Sequence, residues 1–138
     1  MEFKRVQEST VLWYSADNNE KAKALKEELG DTPYAYCSTR QELFNKLEVS
    51  IRVTLIVSDE DGFDLVRTMI SGINFNKSIC NVIFNGEADT TDLQAACTAF
   101  IKKKKVFKFS TSTDATIAKD SKDQAALALT DIASFKIA

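Results

Sequence analysis

The chain has 138 residues and a mass of 15.4 kDa, enough for one domain with a core of its own. It is 44% hydrophobic and 28% charged, with four Gly and one Pro, which excludes collagen-like, proline-rich and low-complexity chains. A formal charge of −2 argues against a whole-surface nucleic-acid binder, and the lack of histidine removes imidazole bases, imidazole metal ligands and a phosphotransfer histidine.

Val11-Leu12-Trp13-Tyr14 is apolar and β-rich and reads as a buried strand. After Asp17-Asn18-Asn19, the stretch Glu20 to Leu29 predicts a helix. Ala22, Leu25 and Leu29 form its stripe, and Gly30 is its stop. Tyr34 to Cys37 is a second strand. Ser38 and Thr39, with Gln41 and Glu42 three residues on, are two overlapping capping boxes for a helix carrying Leu43, Phe44 and Leu47. Ile51 to Val57 is the third strand, apolar enough at Leu55-Ile56-Val57 to be covered on both faces. Ser58 to Gly62 is an acidic turn. Phe63 to about Ile70 is a helix, Ile79 to Phe84 a strand, and Asn85 to Asp89 a loop. A fourth helix carries Leu93, Ala96, Cys97, Phe100 and Ile101 and ends in Lys102-Lys103-Lys104-Lys105. Val106 to Phe109 is the fifth strand, and Ser121 to Phe135 is the last helix, with Ser121 and Gln124 as a capping box.

This is an α/β pattern of five strands alternating with helices. It predicts a single (βα)5 flavodoxin-like domain, a parallel sheet of order 2-1-3-4-5 with helices on both faces. Residues 1–8 read as an N-terminal extension and 9–138 as the domain. Ligands of such sheets bind outside the carboxyl ends of the strands. That places Ser15, Ala16, Asp17, Asp59, Asn85 and Ser110 at the rim. Cys37, Cys80 and Cys97 are odd in number and widely spaced. They read as buried thiols of a reducing compartment. With no apolar leader and no run of membrane-spanning length, the expected location is cytoplasmic.

Leu55-Ile56-Val57-Ser58-Asp59 resembles the third strand of a response-regulator receiver domain, which ends in the phosphoacceptor aspartate. Asp61-Gly62-Phe63-Asp64-Leu65-Val66 resembles the opening of the helix that follows, and Val82 to Ala88 resembles the fourth strand and its loop. The resemblance spans roughly Ser9 to Phe135. It implies a two-component signalling domain and assigns Asp59 the phosphoacceptor position.

The chain departs from that family at the other site positions. An acidic pair that holds Mg²⁺ is replaced by Ser15 and Ala16, with Asp17 one position late. Thr or Ser after the fourth strand is replaced by Asn85, and Lys-Pro after the fifth by Ser110-Thr111. Phosphoryl transfer to a carboxylate needs a divalent cation and a fixed cation to offset the charge that gathers on the oxygens. The expectation is therefore a degenerate receiver, a pseudo-receiver, with a vestigial site of Asp59, Asp17, Asp61, Asn85 and Ser110. It has no catalytic residue and no cofactor, and it acts by protein–protein contact in bacterial signalling. Asp59, Asp61 and Asp17 are a weak Mg²⁺ candidate.

Each feature also has a structural explanation. Asp61 and Asp64 suit the N-terminal end of a helix, with Asp61 as the cap. Phe44, Phe63, Phe100 and Phe107 fit the core by periodicity, and Trp13 fits the sheet centre. Lys102 to Lys105, with Phe107 and Lys108, form either a solvated helix end or a partner-binding patch. By the resemblance, that patch belongs to the face of the fourth helix, fifth strand and fifth helix, which would take a protein partner or a second copy. Two other readings stand beside this one. One is a working receiver phosphorylated on Asp59 with a rearranged Mg²⁺ site. The other is a flavodoxin-like domain that binds a small ligand at the rim.

Overall fold

The computed structural model describes residues 9–16, 19–71, 78–104 and 108–130, with 102–104 and 130 given as backbone. In chain order the elements are β1 (Thr10–Tyr14), α1 (Glu20–Leu29), β2 (Tyr34–Cys37), α2 (Arg40–Glu48) and β3 (Val53–Val57). They continue as α3 (Glu60–Ile70), β4 (Ile79–Asn85), α4 (Thr91–Lys104), β5 (Lys108–Ser112) and α5 (Ile117–Thr130). All strands are parallel, in the order β2-β1-β3-β4-β5, the flavodoxin-like arrangement the alternating pattern predicts.

Strand side chains alternate between two cores, as a period of two requires. Leu12, Tyr14, Leu55, Val57, Val82 and Phe84 face α2, α3 and α4. Val11, Trp13, Ile56 and Ile83 face α1 and α5. All five residues of β3 and all seven of β4 are buried, because helices cover both sides of the sheet centre. The α5 side also holds a polar group at Asn81. Asn81 Nδ2 donates to Thr54 Oγ1 (3.3 Å) and to the Gln124 carbonyl (3.0 Å), which ties α5 to the sheet.

The caps follow local chemistry. Asn19 accepts from the Ala22 N–H at 2.9 Å, and Gly30 leaves α1 at φ +61°, where a side chain would be strained. Thr39 accepts from the Glu42 N–H at 3.1 Å. Glu42 returns a carboxylate oxygen to the Ser38 N–H at 2.8 Å, and those hydrogen bonds hold its carboxyl below the usual range.

Several boundaries differ from the sequence reading. β3 starts at Val53, not Ile51. Ile51 is 40% exposed, and Arg52 turns the chain at φ +52° while its carbonyl accepts from Thr10 N and Ser9 Oγ. α3 starts three residues early, at Glu60. Asp59 caps it, not Asp61. α5 starts at Ile117 because Thr113–Thr116 forms a turn that feeds it, and Ser121 is fully buried inside the helix instead of capping it. β5 runs Lys108–Ser112. Val106 and Phe107 of the expected strand lie outside the described residues. Phe63 and Phe100 are core, but Phe44 is 44% exposed. Its neighbour Leu43 takes the inward position. Cys37, Cys80 and Cys97 are buried thiols outside any disulfide.

Candidate functional site

The rim above the sheet centre is built by the ends of β1 and β3. Trp13 is fully buried, and its indole N–H donates to Ser58 Oγ at 3.0 Å. The strand alternation that buries Trp13 therefore also fixes the residue before Asp59. Asn19 Nδ2 reaches the same hydroxyl at 3.4 Å.

Asp59 uses both carboxylate oxygens. Oδ1 accepts from the Gly62 N–H at 3.0 Å and so caps α3. Oδ2 accepts from Ser15 Oγ at 3.0 Å and from the Ala16 N–H at 3.1 Å. One carboxylate thus closes a helix and holds the loop after β1. Gly62 is required for this. A Cβ there would lie 2.8 Å from Val57 Cβ, so only glycine lets the first turn of α3 settle onto the end of β3.

Asp61 is turned away from Asp59. It accepts from the Tyr14 hydroxyl and from Arg40 Nη2, the latter at 3.0 Å. Arg40 Nη2 also donates to the Asp61 carbonyl at 3.3 Å. The Tyr14 hydroxyl and then the Arg40 guanidinium hold the Asp61 carboxyl below the usual carboxylate range. Burial and the Asp61 hydrogen bond push the Tyr14 phenol up. The two carboxylates therefore serve separate hydrogen-bonded groups. Asp17 lies outside the described residues. Among the described residues, no group of three acidic or cysteine side chains is gathered to hold a metal ion.

On the other side of the rim, Asn85 is the last residue of β4 and is 5% exposed. Its Nδ2 has no hydrogen-bond partner among the described residues. Ser112, not Ser110, stands beside it. Asn85 pairs with Ser112, and Ser110 pairs with Ile83 two positions back in the strand. The serine-threonine run from Ser110 to Thr113 carries no apolar marker of where the strand stops, which is why the sequence places its end too early. The Ser112 hydroxyl donates to Asp120 at 2.6 Å and lies 3.0 Å from Thr116 Oγ1. A polar recess of about 160 Å³ opens here, lined by Asn85, Asp89, Thr90, Gln94 and Thr111 over Phe84.

No lysine follows β5; Thr113 and Asp114 do. Lys108 opens the strand, four residues from Ser112 and so about 13 Å back along the sheet. Of the predicted partner patch, Lys102, Lys103 and Lys104 form the last turn of α4 and Lys108 is exposed. Lys105 and Phe107 lie outside the described residues.

The structure therefore joins Asp59 to Ser15, places Asp61 in a separate group and sets Asn85 beside Ser112. Arg40 is the rim residue that sequence reasoning missed. Its signal was position: it opens the helix that Thr39 caps, and that places it at the strand-carboxyl edge. No family model matches the chain, and neither a curated protein nor a solved structure matches it.

Proposed function

We propose that the chain is a receiver-like signalling domain that has lost phosphorylation and acts by non-catalytic contact with protein partners. The observation that carries this reading is the occupation of Asp59. Both of its oxygens accept hydrogen bonds from the chain itself. A phosphoacceptor oxygen is a nucleophile, which hydrogen bonds from N–H and O–H donors weaken, and it needs a metal beside it and a cation opposite. Here a serine hydroxyl stands beside it, Asp61 is bound to Tyr14 and Arg40, and Thr113 and Asp114, not a lysine, directly follow β5. The hydrogen bonds that close the Asp59 and Asp61 groups favour one fixed conformation there, which suits a domain recognised by its surface.

The test is titration with Mg²⁺ and beryllofluoride, followed by Trp13 fluorescence and amide chemical shifts. Trp13 is bonded to the residue before Asp59, so ligation at Asp59 would reach it. No saturable change at millimolar Mg²⁺ is the expected result. A saturable change abolished by Asp59→Asn would make the domain a phosphorylation switch instead.

A further inference from the structure

α2 and α3 leave an apolar groove between them. It has a volume of about 400 Å³ and a floor of Leu47, Leu65 and Met69. Phe44 stands at its edge, 44% exposed. Charges flank Phe44 at equal spacing. Arg40 lies one turn before it and Glu48 one turn after, so the three residues form a single stripe at i, i+4 and i+8. Arg40 is held in place by Asp61, and most of its five N–H donors remain for another acceptor. Glu48 is exposed and forms no ion pair among the described residues.

This stripe complements itself. If a second copy is related by a two-fold axis through Phe44, its α2 runs antiparallel. Position 40 then meets 48 of the other copy, 44 meets 44, and 48 meets 40. Each Arg40 faces a Glu48, and each Phe44 can enter the groove of its partner. An isologous contact requires a self-complementary patch, and opposite charges on either side of a central apolar residue provide one. A groove flanked by one sign of charge would not satisfy it. We propose that α2 is a homodimerisation surface, in which two copies exchange Phe44 across paired Arg40–Glu48 contacts. The helix is only about 13 Å long. The contact therefore lies at the small end of specific interfaces, with a dissociation constant in the micromolar range or weaker. The inference does not depend on the receiver-like reading.

The experiment is sedimentation equilibrium of the full chain from about 10 μM to about 1 mM. A monomer–dimer equilibrium is expected. Phe44→Glu places two carboxylates at the axis, and Glu48→Arg sets arginine against arginine. Each weakens the dimer at least tenfold while circular dichroism stays unchanged. Arg40→Glu combined with Glu48→Arg restores the dimer to within about threefold, since the pairs re-form with signs exchanged. Arg40 also holds Asp61, so an independent readout is needed if that variant misfolds. Phe44→Cys forms a symmetric disulfide on mild oxidation far faster than Leu127→Cys, at a 43% exposed position of α5. A monomer at every concentration overturns the proposal and leaves the groove to a different helix or peptide. A dimer indifferent to Phe44→Glu and Glu48→Arg, or equal crosslinking at 44 and 127, also overturns it.

Discussion

Replacing Asp59 with alanine separates a structural carboxylate from one held ready for chemistry. The side chain accepts three hydrogen bonds, from Gly62 N, Ser15 Oγ and Ala16 N. Losing an N-cap costs about 1 kcal/mol. Depriving the Ser15 hydroxyl and the Ala16 N–H of an acceptor costs roughly 0.5–1.5 kcal/mol each, less where water reaches in. The sum is about 2–4 kcal/mol, at the lower end where water reaches in. For a chain of this size that lowers Tm by roughly 6–14 °C. Asp59→Asn keeps a carbonyl oxygen for Gly62 but turns an NH2 toward Ser15 and Ala16, so it should fall between wild type and alanine. Urea denaturation followed by Trp13 fluorescence measures all three, with the midpoint moving and the slope constant. An acid held against neighbouring charge would behave in the opposite way, because removing it relieves repulsion. A neutral or stabilised Asp59→Ala would therefore refute the capping argument, and with it the reason for calling the site closed.

Other consequences can be measured the same way. Gly62→Ala should cost about 1–3 kcal/mol, because its Cβ would meet Val57 Cβ at 2.8 Å and lift the first turn of α3; an unchanged urea midpoint would contradict the close approach. Asp61 has a depressed pKa in the fold, so its contribution is present above its unfolded value near pH 4 and is lost as pH falls through the folded value. Its side chain is 40% exposed, which limits the effect to under about 1 kcal/mol. Asp61→Asn should flatten the acid limb of a stability–pH curve, and an unchanged limb would speak against the Tyr14–Asp61–Arg40 group. Burial pushes the Cys37 and Cys97 thiols up to about 11, so a disulfide reagent at pH 8 should react with them only as the protein unfolds. Rapid labelling of Cys37 or Cys97 in the native chain would show otherwise.

The sheet order was legible because it depends on strong, redundant signals. Leu55-Ile56-Val57 and Val82-Ile83-Phe84 are apolar enough to mark covered strands, Asn19 and Thr39 mark helix starts by side-chain chemistry, and Gly30 marks a helix end by its freedom to take a positive φ. The site was legible only in part. Asp59 could be found from its place after β3, yet whether its oxygens are free depends on where the loop after β1 settles, a tertiary fact. Asp61 looked like the cap because Asp64 lies three residues on and both acids suit a helix N-terminus. The geometry gives that task to Asp59, since Gly62 N–H, the third of the helix, points back to it. Phe44 was misplaced because α2 offers two adjacent apolar residues, Leu43 and Phe44, and periodicity alone cannot choose which faces inward. The end of β5 was hidden in a run of hydroxyl residues, which neither demand burial nor forbid it.

The pairing of β4 with β5 also sets how this chain ages chemically. An asparagine followed by glycine loses ammonia when the glycine nitrogen attacks the side-chain carbonyl carbon. The cyclic imide that results is hydrolysed to aspartate or isoaspartate. In the fold the Gly86 N–H is committed to the Ser112 carbonyl at 3.0 Å, and Asn85 is buried at the last position of its strand. The attacking nitrogen is released only when the β5 edge opens, so damage at position 85 accumulates with time spent open rather than with time alone. Isoaspartate found there by peptide mapping would be a record of that opening, written into the backbone of molecules that have since refolded.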